Sequence, residues 1–492
     1  MVDMRVGGGM GSAAADPNEL PEPDLLLTQI AEYAVADRAF SDRAVDTALL
    51  SFLDAVGCAA RGATRPDCLA HLGPVVPGTV VPVPGGARVP FTGDVLDPVR
   101  AAHDTGLLVR WIDANDAWLS LEGSHPSDNL GPILAAADAL ARGAFGAAAR
   151  PSVGDVLTAM IKAHEIQGIL SVNNGFREWA AIDHTVLVRV ASAAVTTAML
   201  DGDVDAVVSA VSHAWMDGGN LRAYRHAPLT GPRKSWAAGH AGSRGLELAL
   251  LALRGEPAAP SVLSVPRWGF NDALFRGHRL TLAQPLGNYV MERVLFKTAP
   301  VEFHGATALE CCQVLHPAVR DRLDDIATIV ITTQRPTIQI ISKTGPLHNY
   351  ADRDHCLQYI VAVALMQGRL DADMYSDEFA TDPRIDALRE RMHVEEDPRY
   401  TEDYVDPEVM AIATAIQVTF TDGTSTDRVE IRFPVGHPSR RDAGRVQLRE
   451  KLEDNLAARL SVARTREILR TFADGPAPLD LPVDAFVDLL CE

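Results

Sequence analysis

Asp113-Ala-Asn-Asp-Ala-Trp-Leu-Ser-Leu-Glu-Gly-Ser-His-Pro-Ser-Asp-Asn-Leu130 carries four acids, a histidine, an aromatic anchor and loop-forming Gly, Ser, Pro and Asn residues. It lies between two apolar patterns of helical period, at 99–112 and 130–143. A polar loop this dense between two helices marks a candidate site within a helical body. Working outward, Ser41 can cap a helix whose apolar residues Val45, Leu49, Phe52 and Val56 fall on one stripe. Further helices are predicted at 153–170, 184–200, 204–216 and 233–254, separated by Gly, Asp and Pro.

Near Pro285 the texture changes. Residues 289–301 alternate like a strand, 306–315 read as a helix, and 326–333 are β-branched enough for a buried strand. A helix is predicted at 355–367, and 415–420 with 428–433 form a hairpin that includes an Asp-Gly turn. After Pro434 helices return at 443–461 and 465–472. The fold class is therefore mainly α: a large helical-bundle domain with a smaller α+β lid domain. The expected organisation is a disordered tail over 1–22, helical domain over 23–283, lid over 284–434 and a return to the helical domain over 435–492, with a cleft between body and lid.

The chain has 492 residues, 47% hydrophobic and 22% charged, which is globular and long enough for two cores. A formal charge of -20 argues against nucleic-acid or anionic-membrane partners, so an anionic ligand needs a locally basic pocket. The six cysteines include no CxxC pair and read as reduced thiols. The N-terminal stretch has no apolar signal region and no later run suits a membrane span, so a soluble, cytoplasmic protein is expected. The Gly7-Gly-Gly-Met-Gly11 run follows no strand and opens no helix, so it is not read as a nucleotide loop.

Several side chains could carry chemistry. Thr230-Gly-Pro-Arg-Lys-Ser-Trp236 places Pro232 at a helix start and Arg233 and Lys234 in its first turn, where a bound anion would offset the unfavourable dipole; alternatively both extend into water. Asp183 reads as a cap that puts His184 at a helix start, where the dipole favours neutral imidazole; a surface or capping histidine is the plainer reading. His125 precedes a helix that Asp128 or Asn129 can cap, and reads either as an acid–base group or as a turn histidine bonded to backbone. Strand alternation puts Lys297 beside Met291, Arg293 and Leu295, either seeking a buried partner or on a solvated basic edge. Asp113 and Asp116 share a face if helical, and a buried close pair would raise one pKa for acid–base work; solvated acids beside Trp118 are the alternative. His164-Glu165 stops short of HExxH, and no metal or cofactor is expected.

Taken together, Asp113-Ala-Asn-Asp-Ala-Trp118, Gly123-Ser-His-Pro-Ser-Asp-Asn-Leu-Gly131, Ala163-His-Glu-Ile-Gln-Gly168, the run Tyr224–Gly239, Met291-Glu-Arg-Val-Leu-Phe-Lys297 and the run Lys343–Cys356 closely resemble the MmgE/PrpD family, over nearly everything after about residue 25. The resemblance implies metal-independent dehydration of 2-methylcitrate to 2-methyl-cis-aconitate in propionate breakdown, by a homodimer whose partner is a small tricarboxylate. It carries the family's active-site positions onto Asp113, Ala117, His125, His184, Lys234 and Lys297, with Arg233 in support at the substrate. Ala117 departs from the threonine common there, which puts a substrate hydrogen bond in question. Alternatives on the same fold are decarboxylation of cis-aconitate or epimerisation of a diacid; outside catalysis, a tricarboxylate-binding scaffold.

Overall fold

The computed structural model describes residues 20–82, 85–146, 150–226, 228–406 and 408–491. The tail expected over 1–22, with its glycine run, lies outside them as far as residue 19. The body is built from α1 (Leu25–Val35), α2 (Asp42–Gly62), α3 (Pro98–Arg110), α4 (Leu130–Ala141), α5 (Val153–Asn173), α6 (Thr185–Met199), α7 (Val204–Met216) and α8 (Arg233–Ala252). The starts follow from local chemistry. Ser41 Oγ accepts from Ala44 N at 3.1 Å, Asp97 caps α3 ahead of Pro98, and Ser152 and Asp155 form a reciprocal capping box on α5.

One helix crossing sets the site. On α3, a Cβ added to Gly106 would meet Gly239 Cα of α8 at 2.8 Å, so this approach depends on glycine. The contact brings the C-terminal end of α3, with Arg110, beside the first turn of α8, with Lys234.

The lid comprises α9 (Ala306–Val319), β1 (Ile326–Thr333), α10 (Leu357–Gln367), β2 (Met392–Glu396), β3 (Thr414–Phe420) and β4 (Val429–Ile431), with short helices between. Its sheet runs β2-β1-β3-β4; β1 pairs parallel with β2 and antiparallel with β3, and β3 pairs antiparallel with β4. The chain closes with α11 (Arg441–Ala457) and α12 (Val483–Leu489). Leu452 and Leu456 of α11 and Phe486 and Val487 of α12 share the core of α1–α8, whereas α9, α10, β1 and β3 enclose a second core. A third apolar cluster, with Trp118, Leu295, Phe303 and Ile412, joins the quoted loop to the lid.

The strand expected over 289–301 does not form. Tyr289–Arg293 is a helical turn, and among the described residues Leu295 then pairs only with Ala117. The cause is Glu165, whose buried carboxylate accepts from Gly287 N at 2.9 Å and Val290 N at 2.8 Å and so satisfies the turn's free N–H groups. Neither Asp128 nor Asn129 caps α4: Pro126–Asn129 forms a 3₁₀ turn running into it, and the Asn129 amide donates to Pro126 O and Gln167 Oε1. No helix of the described residues is long and apolar enough to cross a membrane.

Candidate active site

The loop 113–125 and the lid enclose a cavity of about 750 Å³. Asp113 sits just past α3 with φ +53°, a left-handed conformation that costs a non-glycine residue energy and occurs disproportionately at functional sites. Its carboxylate is what the strained turn presents. Oδ1 accepts from Arg110 and, at 2.5 Å, from Lys297 Nζ; Oδ2 lies 3.3 Å from Lys234 Nζ. Burial alone would raise this acid, but Arg110, Lys297 and Lys234 outweigh it and hold the carboxyl well below its ordinary range.

The expectation of a close Asp113–Asp116 pair with one raised pKa is therefore wrong. Asp116 turns away, taking Ser127 N at 3.0 Å on Oδ1 and His164 Nε2 at 2.8 Å on Oδ2, and these hydrogen bonds hold it low despite burial. Both acids stay ionised because each has its own donors, and neither is solvated.

Asp116 instead sets the tautomer of His125. His125 Nδ1 lies 2.6 Å from Asp116 O, and a carbonyl can only accept, so Nδ1 carries the hydrogen and Nε2 the lone pair. Burial and the nearby Arg110 and Lys297 keep the ring neutral by pushing its pKa well down. The His184 ring centroid is 5.9 Å from that of His125, and among the described residues neither His184 nitrogen has a hydrogen-bond partner. Burial, opposed by Asp183 and helped by Arg225 and Arg222, pushes His184 down to about 3. Asp183 gives one oxygen to Thr185 N, as a cap would, but its main partner is Arg225, at 2.5 Å.

Asp113, His125 and His184 line the cavity, whereas Lys234 and Lys297 are spent on Asp113 and stand outside its lining. Lys297 is only 3% exposed, which rules out the solvated basic edge. Lys234 is equally enclosed, with Asp354 Oδ2 at 2.7 Å, so only Arg233 of that pair reaches outward. Arg233 stacks over Trp236 at 4.3 Å and is not brought to the cavity. Ala117 is fully buried, exchanges backbone hydrogen bonds with Leu295, each at 2.8 Å, and does not line the cavity either. The cations that do line it include Arg110, Arg222 and Arg225.

Sequence reasoning gave no role to three further side chains, although His304 is noted there and set aside as a metal ligand. The lid supplies His355, whose Nδ1 is 2.6 Å from Asp354 Oδ1, and His304, held between Glu302 and the Tyr404 hydroxyl. Lys451 of α11 donates to Asp54 Oδ1 at 2.7 Å, Ala114 O at 2.6 Å and Lys297 O at 2.7 Å, tying the backbones beside Asp113 and at Lys297. Its signal was present: Lys451 adjoins Leu448 and Leu452 on an otherwise apolar stripe. The one trio among the described residues with metal-ligand spacing is Asp113, Asp354 and His355. Its carboxylates already hold Lys234, Lys297 and Arg110, a donor set that would repel a metal cation.

A helical body and α+β lid around an arginine-lined cavity with neutral histidines define a protein that binds and works on a small polyanion. The chain matches the MmgE/PrpD N-terminal domain over residues 28–283 and the MmgE/PrpD C-terminal domain over 299–474, and it belongs to the MmgE/PrpD family. It is similar to the 2-methylcitrate dehydratase of Escherichia coli K12, 47% identical over 96% of this chain and 98% of that one. It is 48% identical to the 2-methylcitrate dehydratase of Cupriavidus necator, over 95% of this chain and 97% of that one. The mitochondrial 2-methylcitrate dehydratase of Yarrowia lipolytica is 46% identical, over 98% of this chain and 93% of that one.

Proposed function

We propose that this protein is a hydro-lyase that dehydrates 2-methylcitrate to 2-methyl-cis-aconitate without a resident metal, as a step of propionate breakdown. The observation that carries this reading is near-half identity along almost the whole chain to proteins named for that activity, in a fold whose cavity is lined by Arg110, Arg222 and Arg225. A tricarboxylate needs such guanidiniums, which match carboxylates with paired donors.

The chemistry follows from the groups present. Removing a proton beside a carboxylate builds negative charge on that carboxylate, and preorganised cations in a dry cavity stabilise it. His125 is our base: its neutral Nε2 offers a lone pair while Asp116 O fixes the ring. Asp113 is poorly suited to accept the proton, because three cations favour its ionised form. Its role is to hold Arg110, Lys234 and Lys297 in place, and His184, without a hydrogen-bond partner among the described residues of the cavity wall, is left to bond the substrate. The same reading carries a homodimer in the cytoplasm, with six free cysteines suited to a reducing compartment.

The test is turnover of 2-methylcitrate by purified protein, followed through the ultraviolet absorbance of the conjugated alkene, with and without chelator. Alkene should accumulate equally in both. Carbon dioxide from cis-aconitate with no alkene from 2-methylcitrate would instead mark a decarboxylase, and tight binding without turnover a scaffold. Light scattering of the same sample reads the dimer.

A further inference from the structure

The reaction needs an acid for the departing hydroxyl, and five histidines line the cavity: His125, His184, His226, His304 and His355. His304 has both nitrogens committed, Nδ1 to Glu302 at 2.9 Å and Nε2 to Tyr404 at 3.0 Å. His125 is backed by a carbonyl, which fixes a lone pair at Nε2 rather than a proton. The carboxylate nearest His184, on Asp183, is 3.7 Å away and already grips Arg225. His226 is exposed at the rim.

His355 differs from all four. Its Nδ1 meets Asp354 Oδ1 at 2.6 Å, and Asp354 is itself fixed by Lys234 Nζ at 2.7 Å on the other oxygen. An ionised carboxylate only accepts, so Nδ1 carries a hydrogen and Nε2 is the nitrogen left to work; it lies 3.9 Å from Asp113 Oδ2. A buried carboxylate behind an imidazole both orients the ring and stabilises its protonated form. Resting on the dehydratase reading above, we propose that His355, oriented by Asp354, is the general acid that protonates the leaving hydroxyl.

In the step, the carbon-bound proton passes to His125 Nε2 and the C–H electron pair becomes the new carbon–carbon π bond. The C–O bond breaks with its electron pair on oxygen, which takes the proton from His355 Nε2 and leaves as water. His125 ends protonated and His355 neutral, and exchange with solvent resets both. The groups facing His355 are Asp354 from its own segment, Lys234 from α8, Asp113 from the loop after α3 and Glu302 from the lid. Burial and Lys234 favour the neutral ring, while Asp354 and Asp113 oppose them. An entering trianion adds negative charge and so loads the proton when it is needed.

The experiment compares wild type, His355→Gln and Asp354→Asn as full chains, measuring kcat and KM for 2-methylcitrate across neutral pH. It adds an analogue in which chloride replaces the departing hydroxyl. His355→Gln should lose about a hundredfold to ten-thousandfold in kcat, with KM little changed, and lose the fall in kcat at alkaline pH. Asp354→Asn should keep that fall but shift it to lower pH. Chloride leaves without a proton, so His355→Gln should process the analogue at close to the wild-type rate, which a misfolded variant could not do. Wild-type kcat or an unchanged alkaline limb in His355→Gln overturns the acid role, as does equal loss on both substrates. A wild type that never forms alkene from 2-methylcitrate overturns the dehydratase reading instead, and this assignment with it.

Discussion

The two walls of the cavity handle charge in opposite ways. On the body side, the Asp113 carboxylate is ringed by Arg110, Lys234 and Lys297; of the histidines there, His125 has a carbonyl behind it and His184 has no hydrogen-bond partner among the described residues. On the lid side, His304 and His355 each bond a carboxylate, Glu302 and Asp354. The lining arginines Arg110, Arg222 and Arg225 beside neutral rings suit binding an anion and taking up a proton; a carboxylate-backed imidazole suits giving one. The contrast teaches that neither wall is a complete site, which accounts for a cavity set between two cores.

The largest break in this picture comes from Asp113→Ala, which removes the carboxylate that three buried cations share and leaves Lys234 with Asp354, Arg110 with Asn115 and Asp128, and Lys297 with the backbone carbonyl of residue 113. We expect a loss of about 3–5 kcal/mol in denaturant unfolding at neutral pH and turnover reduced to background. The pH dependence has a definite sign. A carboxyl held low in the folded state adds stability that is full above the unfolded value near 3.9 and is lost as pH falls through the depressed one, so the wild-type advantage should shrink only in acid.

Next comes Lys451→Met, which leaves Ala114 O and Lys297 O without their donor. Its cost should be smaller, about 2–3 kcal/mol, because Asp54 is already pushed up to about 6 by burial and can take a proton once its partner is gone. A variant as stable as wild type would show that α11 does not brace the body wall.

The smallest effect sharpens rather than breaks the comparison. Ala117→Thr should leave kcat unchanged, because residue 117 is fully buried and does not line the cavity, and overpacking there should cost about 1 kcal/mol. A clear rise in kcat would put this position at the substrate after all.

The sequence made the helical body plain, because stripes such as Val45, Leu49, Phe52 and Val56 repeat at helical period and carry their caps with them. The polar loop at 113–130 was legible as a wall from its density of acids and turn residues between two helical patterns, although Asp116 proves to be a structural acceptor for Ser127 and His164. What was not legible depended on distant partners. Residues 289–301 alternate like a strand, yet Glu165, more than a hundred positions earlier, caps them into a turn. Strand β2 was missed because Met392–Glu396 is a half-exposed edge with no apolar alternation strong enough to read. Asp113 invited a general-base reading until its three cations were seen together, and His355 sat unremarked in a motif because its meaning lies in Asp354 and in the cavity it faces.

The most direct test of the two-wall account is a crystal structure with the tricarboxylate bound. It should place substrate carboxylates on Arg110, Arg222 and Arg225, the carbon-bound hydrogen toward His125 Nε2 and the hydroxyl toward His355 Nε2. A hydroxyl turned to the body wall, with His355 out of contact, would contradict it.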